Sequence, residues 1–278
     1  MPITPKEAAK LIIQQTPQAC EELNQFTAEV FQTRGGRIGS GMGGVIEALW
    51  GFYLNRSLRK AGFHDVEIAW IYGHEYNDFA CVDSTAEWDP ETLQGEILRI
   101  EAKSMVASAD ESKAHFDRLV SELESSELLA VFLWDWVPVS KTSRKVYPRV
   151  TDHFIGSANG VAALRDALHV SRGGTFVQIG HCPDGCAQKK CLHIGEPLNA
   201  SGVRERRTGP EKAKGPSVSY AANFGGLLRM LGYKGQEGQK IIEEHQANNE
   251  AAAAFMQFMA KNFPKVQKKL AKAKITPQ

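Results

Sequence analysis

The sequence predicts an α/β fold, and three observations lead to it. Segments with helical spacing and short strand-like runs follow one another in the order helix, strands, helix, strand. The run LLAVFLWDWVPV at residues 128–139 is apolar enough for a buried strand that ends near Pro138. A chain of 278 residues with 42% hydrophobic residues can bury a substantial core, as one large domain or as a domain with an appended lobe. We expect a single domain over residues 1–278.

The first elements are predicted to be helices. Residues 5–32 have helical spacing, and Pro17 predicts a break between two helices. Residues 33–44 read TRGGRIGSGMGG, which predicts a flexible loop. The run from 45 to 62 has helical spacing again, and Gly62 is placed to end that helix.

Strands are predicted next. The runs DVEIAWIYG (65–73), DFACV (78–82) and EILRIEAKSM (96–105) have the composition of strands. A turn is expected over 87–95, and residues 110–127 have the spacing of a helix opened by Asp110.

The C-terminal half is predicted to be mostly helix and loop. Residues 157–170 have helical spacing and TFVQIG (175–180) has the composition of a strand. Residues 180–217 are polar and rich in glycine and proline, and residues 218–278 form a helical part with a basic tail.

Charged residues interrupt the third strand in a regular way. Alternate strand residues share a face, so Leu98, Ile100 and Ala102 point toward a core while Glu101 and Lys103 point away from it. A carboxylate held beside an ammonium can coordinate a hard cation and position water next to it. Asp78 would add a second carboxylate if the two strands pair as a hairpin. The competing interpretation is a solvated strand face whose charges have no function.

This pattern resembles the PD-(D/E)xK nuclease superfamily, the restriction-endonuclease-like phosphodiesterases. That family has an acidic residue at the start of one strand and Glu/Asp-x-Lys within the next, matched by Asn77-Asp78 and Glu101-Ala102-Lys103. Asn77 stands where the motif has proline. Many members carry a glutamate on the preceding helix, which Glu47 matches. The resemblance covers about residues 40 to 140.

The resemblance implies a restriction-endonuclease-like core with a mixed central β-sheet flanked by helices. Asp78, Glu101 and the Ala102 carbonyl would bind Mg²⁺, Lys103 would act on the attacking water or on developing charge, and Glu47 would support the metal site. Asp83 is the alternative first ligand. The implied protein is a type II restriction endonuclease that acts on double-stranded DNA as a homodimer. Two alternatives stay open: a non-specific, repair or RNA-directed nuclease of this fold, and a non-catalytic, zinc-stabilised DNA-binding protein.

The loop-rich region carries two further candidate sites. Its first part reads HCPDGCAQKKCLH, and four side chains there are candidate ligands of a structural Zn²⁺, with His181 as an alternative fourth: Cys182, Cys186, Cys191 and His193. The competing interpretation is a polar loop with free thiols. Its second part supplies five candidate DNA-binding residues: Arg204, Arg206, Arg207, Lys212 and Lys214. The alternative for these is a solubilising basic loop.

Other features bear on cofactor and location. GSGMGG at residues 39–44 matches a dinucleotide fingerprint, but a helical pattern precedes it where the fingerprint requires a strand. A net charge of +1 leaves any attraction to a polyanion to local basic patches. Five cysteines fit a reducing compartment, and no signal-like or membrane-length apolar run is present. We therefore expect a cytoplasmic protein without a membrane partner.

Overall fold

The computed structural model describes residues 3–34, 41–71, 77–107, 114–116, 118–170, 226–232 and 236–263. Its five helices are α1 (Pro5–Val30), α2 (Met42–Lys60), α3 (Ala158–Val170), α4 (Gln236–Asn248) and α5 (Glu250–Asn262). Its five strands are β1 (Val66–Trp70), β2 (Phe79–Asp83), β3 (Glu96–Val106), β4 (Leu128–Pro138) and β5 (Val146–Ser157). Short 3₁₀ turns lie at Val120–Glu122 and Leu227–Gly232.

The five strands form one mixed sheet in the order β1-β2-β3-β4-β5. The pairs β1–β2, β2–β3 and β4–β5 are antiparallel, and β3–β4 is parallel. The parallel pair requires a crossover, which is the segment from 107 to 127. The α/β class and the hairpin that brings β2 beside β3 are therefore confirmed.

Helices cover both faces of the sheet. One core packs α1 and α2 on the face that carries Leu98, Ile100 and Ala102. The second core packs α3 and α5 on the other face, around Leu129 and Val131. Strand β4 contributes alternate residues to both cores, which is why its sequence is continuously apolar. Within the described residues, no helix has both the length and the apolar character needed to cross a membrane.

The predicted helix break at Pro17 is wrong. Helix α1 runs unbroken through Pro17. Proline removes one main-chain hydrogen bond, but the buried face of this helix, which includes Ile12 and Leu23, packs into the core on both sides of it. The Thr16 hydroxyl also donates a 2.8 Å hydrogen bond to the Ile12 carbonyl. Tertiary packing therefore maintains the helix across the proline.

The predicted end of the second helix is confirmed. Gly62 has φ +88°, in the left-handed region that favours glycine. The Gly62 N–H donates to the Arg59 carbonyl and the Phe63 N–H donates to the Leu58 carbonyl, at 3.1 and 3.0 Å. This is the Schellman arrangement, which satisfies the last carbonyls of α2.

The helix predicted over 110–127 is wrong in its described part, residues 114–116 and 118–127. This stretch contains only the 3₁₀ turn Val120–Glu122. The Arg165 guanidinium, from α3, donates to the carbonyls of Phe116 and Arg118. In a helix those carbonyls would accept main-chain N–H groups four residues later. Strand β5, an edge strand that tolerates Pro148, is not predicted from the sequence.

Several predicted features lie outside the described residues. These are the loop-rich region with both of its candidate sites, the strand at 175–180 and the basic tail after residue 263.

Candidate active site

The candidate site lies where β3 extends past the start of β2. Strand β2 begins at Phe79, which pairs with Ile100, whereas β3 continues to Val106 alongside β4 alone. Among the described residues, no strand therefore pairs with the edge of β3 beyond Ile100 on the β2 side. Asp78, Glu101 and Lys103 meet at this edge, as the alternation of the sequence predicts.

The Asp78 side chain accepts a main-chain hydrogen bond from this edge of β3. Its Oδ2 atom accepts a 2.8 Å hydrogen bond from the main-chain N–H of Ala102. The N–H and carbonyl of one strand residue point to the same side of the strand, as in pairs that exchange both bonds. The Ala102 carbonyl therefore faces the same edge as Asp78.

Lys103 joins the two carboxylates. Its Nζ atom lies 2.5 Å from Glu101 Oε1 and 3.5 Å from Asp78 Oδ2. The side chains of Glu101 and Lys103 are 13% and 21% exposed, and that of Asp78 is 35% exposed. The cluster is thus sheltered at Glu101 and open to solvent at Asp78.

Glu47 reaches the cluster from α2. It accepts hydrogen bonds from the hydroxyl and main-chain N–H of Ser104, the residue after Lys103, and lies within electrostatic range of Asp78 and Lys103. A Cβ added to Gly43 would lie 2.4 Å from Ser104 Oγ. A glycine at this position lets the first turn of α2 approach the strand closely enough for Glu47 to contact Ser104.

The environment changes the acidity of all three groups with resolved shifts. Burial raises the pKa of Glu47 to about 7, and repulsion from Asp78 adds to this. Burial also raises the pKa of Glu101 to about 7, against the attraction of Lys103. For Lys103, burial would lower the pKa, but the nearby carboxylates outweigh it and raise the pKa above its ordinary value. Lys103 is therefore an ammonium at neutral pH.

A buried polar network holds Asn77, the residue before Asp78, and the sequence pattern does not predict this network. Asn77 is 3% exposed, and its amide donates to Glu127 Oε2 at 3.2 Å. Arg118 donates to Asn77 Oδ1 at 3.0 Å and forms an ion pair with Glu127. Arg118 also lowers the pKa of Glu101 through its charge. Asn77 thus fixes the entry to β2 by hydrogen bonds where the motif has proline.

These donors suit a hard divalent cation. Two carboxylates and one main-chain carbonyl face the same strand edge, and Mg²⁺ binds such oxygens together with water. Among the described residues, no group of three or more His, Cys, Asp or Glu side chains is placed to hold a metal. The proposed set has only two side-chain ligands, so it is smaller than such a group. The Lys103 ammonium lies beside both carboxylates and partly neutralises them.

The alternative first ligand lies elsewhere. Asp83 is at the opposite end of β2, and its Oδ1 atom accepts hydrogen bonds from the Thr85 N–H and hydroxyl at 2.8 and 2.6 Å. Those contacts lower the pKa of Asp83 and cap a turn. Asp83 therefore has a local structural role, away from Glu101 and Lys103.

Neither a protein-family model nor a curated protein matches the chain.

Proposed function

We propose that this protein is a Mg²⁺-dependent endonuclease that hydrolyses DNA phosphodiester bonds. The observation that carries the proposal is the meeting of Asp78, Glu101 and Lys103 at the open edge of β3. The mixed sheet with helices on both faces supports a restriction-endonuclease-like fold as part of the same proposal. Solvated strand charges would not be expected to gather at 13–35% exposure around one ammonium.

Each side chain has a distinct task in this proposal. Asp78 and Glu101, with the Ala102 carbonyl, would hold Mg²⁺. When bound, the ion would polarise the phosphate and lower the pKa of its bound water. Lys103, as an ammonium, would donate hydrogen bonds to the charge that develops on the phosphate oxygens. Glu47, whose pKa is about 7, is suited to accept a proton from an attacking water near neutral pH.

The finer assignment is a type II restriction endonuclease that acts on double-stranded DNA as a homodimer. Two-fold symmetry would present one copy of the site to each antiparallel strand. This part rests on the resemblance of the motif alone.

A cleavage assay tests the proposal. Full-length protein is incubated with plasmid DNA of known sequence and Mg²⁺, and the same assay is run with EDTA. We expect cleavage with Mg²⁺ and none with EDTA. In Glu101→Gln the cleavage rate should fall at least about a hundredfold, because a metal ligand is removed. Discrete fragments would support sequence specificity, and a smear would support the non-specific nuclease.

Asp83→Asn is the matched control for Asp78→Asn, since Asp78 directly precedes β2 and Asp83 is its last residue. We expect the Asp83 variant to cleave at the wild-type rate and the Asp78 variant to be inactive. Equal activity of Glu101→Gln and wild type would refute the nuclease assignment. It would favour the non-catalytic DNA-binding protein instead.

A further inference from the structure

An exposed tryptophan adjoins the candidate site. Trp70, the last residue of β1, is 58% exposed. It pairs in register with Phe79, and the two ring centroids are 5.9 Å apart. The following N–H, of Ile71, donates a 3.0 Å hydrogen bond to the Asp78 carbonyl. Trp50 packs against Phe79 as well, at 5.4 Å, so Phe79 has an aromatic neighbour in the core without Trp70.

A second exposed ring lies nearby on α2. Phe52 is 61% exposed and directly follows Gly51, whose backbone packs on Phe79: a Cβ on Gly51 would lie 2.7 Å from Phe79 Cε1. In the part of the chain that the structure describes, Trp70 and Phe52 are the aromatic residues exposed over more than half of their surface. Trp70 therefore contacts Phe79, the residue that follows Asp78, and Phe52 directly follows a glycine that packs on the same ring.

Positive charge continues from Phe52 along α2. Phe52 lines an open cavity of about 700 Å³ together with Asn55, Arg56, Arg59, Lys60 and Glu67. Glu22 of α1 contacts two of these cations: its carboxylate lies 3.3 Å from Arg56 Nε and 2.6 Å from Lys60 Nζ. The three cations Arg56, Arg59 and Lys60 outnumber the two carboxylates nearby, Glu22 and Glu67, so this surface has a net positive charge.

Aromatic faces and cations next to each other bind two parts of a nucleic acid. An exposed ring stacks on a base that has left its own stack, and Arg and Lys bind phosphates. A base within an intact duplex has both faces covered by its neighbours, so it offers no face to Trp70. The chemistry therefore favours a strand with unpaired bases.

We propose that Trp70 and Phe52 form a stacking surface for unpaired bases of a polynucleotide, with Arg56, Arg59 and Lys60 binding its phosphates. The substrate of the site is then a single strand, or a duplex that is opened next to the scissile phosphate. The location of that phosphate rests on the proposed function, but the stacking surface itself does not.

Equilibrium binding of a fluorescein-labelled oligo(dT) tests this surface, with the full chain in EDTA so that no cleavage occurs. Fluorescence anisotropy gives the Kd. We expect Trp70→Ala to weaken binding about tenfold, and Phe52→Ala to weaken it by a similar factor. Trp70→Phe should restore most of the affinity, because a smaller aromatic ring still stacks. Phe63→Ala is the control, because Phe63 is also exposed, at 40%, but follows the end of α2 and does not line the cavity beside Phe52.

Unchanged oligo(dT) affinity in Trp70→Ala would overturn the proposal, as would an equal loss in Phe63→Ala. The two proposals fail separately. If Trp70→Ala loses oligo(dT) affinity while wild type cleaves nothing, the stacking surface stands and the nuclease assignment falls. If wild type cleaves DNA while Trp70→Ala keeps full oligo(dT) affinity, the nuclease assignment stands and the stacking surface falls.

Discussion

At the scale of single residues, Glu47 and Glu101 are carboxyl groups that the fold keeps from water. Each has a pKa of about 7 in the folded protein, against an ordinary value of 4.5. The folded state therefore binds more protons than the unfolded state between pH 4.5 and 7, and the free energy of unfolding falls as pH rises through this range. Ionised carboxylates at these positions destabilise the metal-free fold.

Glu47→Gln should remove one part of this pH dependence. In EDTA, we expect the variant to have a higher Tm than wild type at pH 8 and the same Tm at pH 4.5, because glutamine cannot ionise. Thermal unfolding of both proteins at several pH values measures the difference. A difference that shrinks as pH rises would contradict the assigned environment of Glu47.

Arg118 and Glu127 give a second test at the residue scale. Glu127 is 3% exposed, so removing its cationic partner leaves a buried carboxylate without that ion pair. We expect Arg118→Met to lower the free energy of unfolding by about 3 kcal/mol. The double variant with Glu127→Gln should recover much of this loss, since the unpaired charge is gone. Chemical denaturation of the double-mutant cycle measures the coupling, and simple additivity would contradict it.

The sequence predicted the cluster but not its support, for a physical reason. The positions of Glu101 and Lys103 follow from the two-residue repeat of a strand, which is a local property. The contact of Asn77 with Arg118 and Glu127 depends on the path of residues 114–127. That path is set by Arg165 of α3, which follows its partners Phe116 and Arg118 by 49 and 47 residues, so local spacing predicted a helix instead.

At the scale of elements, the two edge strands of the sheet are held in the same way. The Asn55 amide, on α2, binds both the N–H and the carbonyl of Ile68 in β1, at 2.7 and 2.8 Å. The Asn24 amide, on α1, binds the N–H and carbonyl of Val150 in β5 at 2.8 and 2.9 Å. Each asparagine satisfies main-chain groups on the open side of an edge strand, which would otherwise be available to pair with another chain.

Loss of one such contact should be measurable. We expect Asn55→Ala to lower the free energy of unfolding by about 2 kcal/mol, because it leaves a partly buried N–H and carbonyl unpaired. Asn55→Asp keeps an acceptor for the Ile68 N–H and loses the donor to the Ile68 carbonyl. Its free energy of unfolding should therefore lie between those of Asn55→Ala and wild type. Urea denaturation measures both. An alanine variant as stable as wild type would contradict this role for Asn55.

Elements with strong local patterns were predicted well, and those that depend on distant contacts were not. The apolar composition of β4 predicts a buried strand, and Gly62 predicts where α2 ends. Strand β5 is polar on one side and contains Pro148, so it resembles a loop until β4 is placed beside it. The continuity of α1 at Pro17 depends on a core that packs on both sides of the proline.

At the scale of the whole molecule, the arrangement of layers places the candidate site. The helical layer with α1 and α2 brings Glu47 to the end of β3, and the opposite layer with α3 fixes the segment that contains Arg118. The carboxylates of Asp78, just before β2, and of Glu101 on β3 then meet at an edge of β3 that pairs with no strand in the described part of the chain. Alternation of helices and strands in the sequence predicted these layers, and hairpin pairing predicted the meeting of Asp78 with Glu101.

The central claim is that this edge binds a divalent cation, and calorimetric titration of the full-length protein with Mg²⁺ at pH 8 tests it most directly. At that pH both glutamates with raised pKa are largely ionised. We expect saturable binding to wild type and Asp83→Asn, and none to Asp78→Asn or Glu101→Gln. Mg²⁺ binding that is the same in all four proteins would contradict the claim.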